Sequence, residues 1–293
     1  MTKYHLGVLC GAISFGILSS FVKVAYRDGF LPGELSFTQA LIGAIVLWSV
    51  TWSSKKQFVS SKDKVMLLLS GSTIGISTYL YYVSVQYLSA TIAIVLLMQF
   101  TWISMLIECF FFKKTINQLE LFSALVIVAG TILASGLRMS KNMELPTKGI
   151  LIVMLASIFY AVYVVANSKA GRDVNWRNKG AWLMSGSAIA IGITNHHELL
   201  FSSHPGAELL GWGLLMAIFG TILPPILFAT SIPKVGASVS SLLMTIELPV
   251  AVTSAKIVLD EHISKMQIFG VFIMLAAIVA HNYLKFLGDY RTN

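Results

Sequence analysis

Charge is scarce in this sequence. Acidic and basic side chains fill only 12% of its 293 positions, about half the roughly 25% of an ordinary soluble domain. Apolar residues fill 56%, and the mean hydropathy is +0.78. No single water-soluble core could hide that much apolar surface, so a soluble globular fold is excluded and a bilayer is implied. Cysteine is nearly absent. Cys10 and Cys109 both lie in apolar runs, which predicts small buried packing residues and excludes a disulfide framework. Also missing are the His-Glu-x-x-His, Gly-x-Ser-x-Gly and Gly-x-x-x-x-Gly-Lys motifs, so the expectation is no enzyme, no cofactor and no nucleotide-driven motor. The net charge of +8 does not point to nucleic acid, because the basic residues follow a membrane topology.

Long apolar runs are what the chain has instead. A hydrocarbon core about 30 Å thick takes roughly 20 residues of helix. Such runs lie near 4–26, 31–52, 65–87, 89–112, 119–138, 148–168, 180–197, 207–231, 236–258 and 265–287. Strands are disfavoured, since barrel segments alternate rather than run continuously apolar. The first run is too long for a signal peptide and lacks a small-x-small cleavage site, so it stays as a span. The seventh is short and ends in Asn195, His196, His197 and Glu198.

With the N-terminus inside, the inner segments carry Lys3, Lys55, Lys56, Lys62, Lys64, Lys113, Lys114, Lys169, Arg172, Arg177, Lys179, Lys234, Lys285 and Arg291. The outer segments carry only Arg27, Arg138, Lys141, Lys148 and Lys265. The excess predicts that both termini are cytoplasmic.

Shifting the chain by 147 residues lays Ser89–Gly130 over Gly236–Ala277 without a gap. Ala90 falls on Ala237, Leu96 on Leu243, Ile116 on Ile263, Phe122 on Phe269 and Ala129 on Ala276, and helix, charged turn and helix stay in phase. Half the chain is about the same length, which predicts five-helix units at 1–144 and 145–293. Five spans is an odd number, so the second unit enters from the opposite side. Inverted repeats of this kind recur in secondary transporters, with the substrate site near the midplane between the halves.

These features resemble the EamA-type branch of the drug/metabolite transporter superfamily. The second half carries the likeness in Gly236-Ala237-Ser238, Glu247-Leu248-Pro249, Leu259-Asp260-Glu261-His262-Ile263 and Gln267-Ile268-Phe269-Gly270. The first half has the matching frame from Ser89-Ala90-Thr91 to Phe112-Lys113-Lys114-Thr115-Ile116. It departs at Trp102, where the family proline would fall, and at Lys114, where the turn Glu would fall. Gln39 stands where an Arg is often found. The resemblance implies an all-α membrane protein of ten transmembrane helices in two inverted five-helix repeats around a central cavity, commonly exporting metabolites or amino acids.

Glu247 lies in the middle of the ninth span. A carboxylate at that depth is costly and is expected to face a cavity or a partner. Pro249 is expected to free the carbonyl of Thr245, making a site for a cation or a transferred proton; the alternative is a neutral Glu hydrogen-bonded for packing. Pro224 and Pro225 are expected to free the carbonyls of Gly220 and Thr221, as a gating bend or a static kink. Tyr79, Tyr82 and Gln86 on the third span and Tyr160, Tyr163 and Asn167 on the sixth share one helical spacing, while Gln99 and Trp102 share a face of the fourth. These stripes line a cavity or serve packing. Lys23 and Glu34 read as a pair or as snorkelling groups, and Glu108 and Lys256 as snorkelling groups. His196, His197, Glu198 and His204 read as a solvated loop rather than a metal site, and the Gly7/Gly11 and Gly71/Gly75 pairs as internal packing.

The expectation is a proton-linked secondary transporter in the cell (inner) membrane that exports a small metabolite or amino acid by alternating access. Its partners are that small molecule, protons and the lipid bilayer. Two rivals stay open: an importer of an organic cation, and a non-transporting membrane scaffold or lipid-handling protein.

Overall fold

The computed structural model describes residues 3–53, 57–115, 117–134, 146–196, 199, 206–261 and 263–291; the side chains of 134, 278–279 and 281–291 lie outside it. Among the described residues the regular structure is helical throughout, with no strand. The first half holds α1 (Lys3–Arg27), α2 (Pro32–Trp52), α3 (Ser61–Tyr87), α4 (Ala90–Leu97), α5 (Phe100–Phe112) and α6 (Gln118–Ala134). The second holds α7 (Thr147–Lys169), α8 (Trp176–Thr194), α9 (Gly206–Met216), α10 (Leu223–Val235), α11 (Ala237–Met244), α12 (Glu247–Leu259) and α13 (Lys265–Arg291). A π-helical segment, Ala217–Ile222, joins α9 to α10.

Local chemistry sets the helix starts. Ser60 and Ser89 accept the N–H groups of Asp63 and Ile92 at 3.1 and 3.2 Å, and Asn175 accepts that of Arg177 at 2.7 Å. Each satisfies one of the orphan donors at a helix N-terminus. Pro32 opens α2, where a missing N–H costs nothing, and Glu34 reaches back to the Leu31 N–H at 2.8 Å.

Among the described residues, seven helical stretches are long and apolar enough to cross a membrane: Lys3–Arg27, Pro32–Trp52, Ser61–Tyr87, Ala90–Phe112, Thr147–Lys169, Gly206–Val235 and Ala237–Leu259. Gln118–Leu133 and Lys265–Ala277 are apolar but shorter. Phe110, Phe111, Phe122 and Phe272 lie exposed on the outside, a surface suited to hydrocarbon rather than water. The chain is a multi-pass membrane protein. Within the described residues, each predicted apolar run falls on a helix to within about one turn, the usual uncertainty of a boundary being one or two residues.

The ninth expected span is broken at its centre, and so is the fourth. Under the 147-residue offset α4 falls on α11 and α5 on α12, end for end. In the first break Gln99 N–H bonds the Leu96 carbonyl at 3.2 Å, Thr101 that of Met98 at 3.1 Å and Ile103 that of Gln99 at 3.3 Å. In the second, Ile246 bonds Leu243 at 3.3 Å, Leu248 bonds Thr245 at 3.1 Å and Val250 bonds Ile246 at 3.3 Å. Both helices then end on a left-handed non-glycine residue, Lys113 at φ 51° and Asp260 at φ 56°.

The packing is matched as well. The pair α11–α12 lies on α1 as α4–α5 lies on α7. Helix α3 rests on α7 and α8, and α9–α10 rests on α1 and α2. Helix α2 pairs with α8 and α6 with α13. Gly71 and Gly75 let α3 approach α8 so closely that a Cβ there would overlap Leu183 and Ser187, as expected for internal packing. Gly7 and Gly11 face α10 at Ser231 and Phe228.

Candidate functional site

The second break delivers a carboxylate to the interior. Glu247 is the first residue of α12 and only 2% exposed. It sits where unpaired N–H groups and the helix dipole favour negative charge. Tyr160 on α7 donates its hydroxyl to Glu247 Oε1 at 2.6 Å. None of the ion pairs among the described residues involves Glu247. Gly16 lets α1 cross the break directly, since a Cβ there would meet the Glu247 carbonyl and Val250.

The first break delivers an aromatic ring. Phe100, at the position equivalent to Glu247, is fully buried, and its ring lies 4.3 Å from that of Tyr160. Tyr160 therefore meets both breaks, one through its ring and the other through its hydroxyl. Phe15 meets it edge-on at 6.3 Å, and Tyr163 stacks behind it at 6.3 Å.

Around Glu247 and Tyr160 lies a cavity of about 50 Å³. Phe15 and Leu18 of α1 form one wall and Ile94 and Leu97 of α4 another; Ile74, Ser77, Thr78, Tyr81 and Tyr82 of α3 form the third. That volume holds a few waters at most and falls below the roughly 300–1,000 Å³ of small-molecule sites. The conformation is contracted. Tyr82 donates to Gln39 Oε1 at 2.9 Å. The Tyr81 hydroxyl is buried with no hydrogen-bond partner, the Ser19 hydroxyl lying beside it but outside bonding geometry. The lining carries one carboxylate, three phenols and two aliphatic hydroxyls, and neither Lys nor Arg. Such a lining receives a proton or a cationic group and disfavours an anion.

Of the residues singled out by sequence, Glu247, Tyr160 and Tyr82 come together here, with Tyr163 one layer behind. Tyr79 does not line the cavity; it packs against Ala40, Ala188 and Ile191. Gln99 and Trp102 also lie elsewhere. Trp102 donates to Gln99 Oε1 at 2.8 Å and is 37% exposed on the outer surface. Two residues beyond Phe100 is about 200° around a helix, so Trp102 points away from the ring that faces inward. Tyr81 escaped the sequence reading although the lining of α3 runs at i, i+3, i+4, i+7 and i+8 from Ile74, the amphipathic signature of a helix face.

Pro249 behaves differently from expectation. Pro249 lies in the first turn of α12, where its missing N–H has no intrahelical partner to lose. The Thr245 carbonyl is not freed, because Leu248 N–H takes it. Pro224 and Pro225 open α10 after the π segment, which absorbs the change in hydrogen-bond register. Thr221 in that segment donates to the Gln39 carbonyl at 2.6 Å, so the double proline reaches the cavity wall through Gln39 and Tyr82.

Several charged or reactive groups also differ from expectation. Glu108 is buried rather than snorkelling: its Oε2 accepts the Ser238 N–H at 3.0 Å, the Ser238 hydroxyl and Lys114 Nζ at 3.2 Å. Glu34 is engaged with its own helix start. Lys256 is exposed, in keeping with a snorkelling group. Cys10 is exposed and Cys109 half-buried, because both lie on the outward faces of their helices; both are free. His197, Glu198 and His204 lie outside the described residues. The described ones contain no cluster of metal-binding side chains.

The sequence matches the model of the EamA-like transporter family over residues 2–136 and again over 147–283. It is 20% identical to the uncharacterized transporter YcbK of Bacillus subtilis over 95% of this chain and 92% of that one. It is 25% identical to the threonine/homoserine exporter RhtA of Salmonella typhimurium over 84% of this chain and 80% of the relative. A protein of known crystal structure superimposes with a TM-score of 0.73 at 12% identity, over 93% of this chain and 98% of that one.

Proposed function

The chain belongs to the EamA-like transporter family, and from that premise we propose that it is a proton-linked carrier exporting small amine-bearing metabolites of the amino-acid kind. It is a transporter and not an enzyme. The ten helical spans form two units, 1–144 and 145–293. An odd number of spans per unit inverts the second relative to the first, in the membrane that encloses the cell, with both termini cytoplasmic.

One observation carries the reading: the cavity between the halves holds a single ionisable acid, Glu247, without a basic partner. A lone carboxylate in a low-dielectric wall binds either a proton or a cation, and not both at once. That exclusion couples the two fluxes. The substrate's ammonium displaces the proton on one side of the membrane, and a proton displaces the ammonium on the other. The phenols give the cation an aromatic surround, and the open hydroxyl of Tyr81 awaits a polar group of the substrate. The exporter RhtA, a relative named for two amino acids, agrees with this substrate class.

Counterflow in proteoliposomes loaded with a pool of amines and amino acids tests the proposal. The expected result is uptake of a defined compound whose rate depends on pH in the wild type and not in Glu247→Gln. Uptake with unchanged pH dependence in that variant would exclude Glu247 as the coupling site. No uptake from folded protein would leave the scaffold reading.

A further inference from the structure

Two polar contacts join the outer ends of the split helices, and the internal repeat relates them. At one end Thr91, near the start of α4, donates its hydroxyl to Glu261 Oε2 at 2.9 Å, just past the end of α12. At the other end Ser238, near the start of α11, accepts from Lys114 Nζ at 2.8 Å, just past the end of α5. Thr91 and Ser238 are equivalent under the 147-residue shift, and so are Lys114 and Glu261. Lys114 N–H bonds the Glu108 carbonyl and Glu261 N–H that of Ala255, both at 3.3 Å and again equivalent. In each half the left-handed residue, Lys113 or Asp260, turns the chain so that the next side chain reaches the other half's split helix.

The chemistry at the two ends is alike although the residues differ. A helix N-terminus favours a carboxylate. At α4 that carboxylate is Glu261 itself. At α11 the equivalent position is Lys114, and the carboxylate comes from Glu108, six residues earlier on α5. Lys114 bridges Glu108 to Ser238, and Lys169 approaches the other Glu108 oxygen at 3.9 Å. Lys23 stands within electrostatic reach of Glu261 as Lys169 does of Glu108. Each end thus has a helix start, a hydroxyl, a carboxylate and a lysine from the first helix of a half.

We infer that Glu261–Thr91 and Glu108–Lys114–Ser238 are the latches of two gates on opposite sides of the cavity, each tying the tail of one split helix to the head of the other. Both latches are closed in this structure, in keeping with its contracted cavity. Breaking one frees the split helices at that end alone, because the other latch lies beyond the helix breaks. The inference rests on the carrier reading above for its use, but its geometry is testable without transport.

The test is cysteine accessibility in sealed vesicles. In a Cys10→Ala, Cys109→Ala background, Thr78→Cys places a reporter on the cavity wall, and a membrane-impermeant maleimide is added from either face. Glu261→Gln is expected to raise labelling from one face by about tenfold, the effect of losing a charge-assisted hydrogen bond. Glu108→Gln and Lys114→Gln are expected to raise it from the opposite face to a similar degree. Thr91→Ala and Ser238→Ala remove the same contacts from the hydroxyl side and repeat the pattern should a charge variant misfold. Shifts toward the same face, a shift in only one set, or no shift in either would overturn the two-gate assignment. Opposite shifts in a protein that carries no amine would leave the gates standing and remove the substrate reading instead.

Discussion

At the first helix break the chain presents Phe100 to Tyr160, and at the second, on the same backbone, it presents Glu247. The hydrogen bonds through the two breaks agree to within 0.1 Å, yet only the second contains a proline. Proline therefore does not cause the break. Ladder bonds skip to three-residue spacing at both, and the side chain that follows is turned inward whatever it is. Duplicated backbone with divergent side chains yields one wall that can hold a charge and one that cannot. Under a strictly symmetric sequence Tyr160 would face two acids or two rings. With one of each, its hydroxyl has one carboxylate to donate to while its ring packs on Phe100, which fixes the phenol in place.

This contrast can be broken in graded ways. Glu247→Gln should have the largest effect, abolishing pH-dependent flux in proteoliposomes while circular dichroism stays unchanged, since the amide keeps the shape and loses the charge. Tyr160→Phe should slow transport by about ten- to a hundredfold, the loss expected for one hydrogen bond to a charged group, about 1.5–3 kcal/mol. It should spare the ring contact with Phe100. Phe100→Ala should act mainly on stability, lowering it by about 3–5 kcal/mol as for other buried aromatic truncations. A thermal unfolding assay in detergent would show this, with residual flux retained. Pro249→Ala should do least, within about 1 kcal/mol and with near-normal flux, because Trp102 already occupies the equivalent place in a break of the same geometry. A large loss in that last variant would show that the second break does depend on its proline.

The helices were legible in the sequence because a bilayer imposes a long apolar run, and the repeat was legible because helix and turn stayed in phase across both halves. Glu247 was legible for the same reason, as an acid stranded in such a run. The breaks were not. Apolar periodicity says where a helix is buried but not whether its hydrogen bonds shift from four-residue to three-residue spacing for one turn. That shift displaced the fourth-span candidates: the inward residue is Phe100, and Gln99 with Trp102 lie off to its sides. Tyr79 shares the i, i+3 spacing with Tyr82, but the face of α3 that turns inward runs from Ile74 through Tyr81. Glu108, by itself, has the pattern of an end-of-span acid. Its partner Ser238 lies in the other half of the chain, and no local pattern announces such a pairing.

Helix α8 leads to a consequence of another kind, in the order of biosynthesis. It is not among the helices apolar enough to cross a membrane unaided, and it carries Lys179, whose side chain is fully buried and donates to the Asn167 carbonyl at 2.8 Å, near the end of α7. A segment with that composition gains little from hydrocarbon, and Lys179, in its first turn, bonds the end of a neighbouring helix instead of water. The segment packs chiefly on α2 and α3, both of which leave the ribosome before it, and to a lesser extent on α10, which follows. The helix is thus held mainly by its predecessors. Damage to α2 or α3 would leave α8 unable to settle, so lesions far apart in the chain would share one failure at the stage of membrane integration.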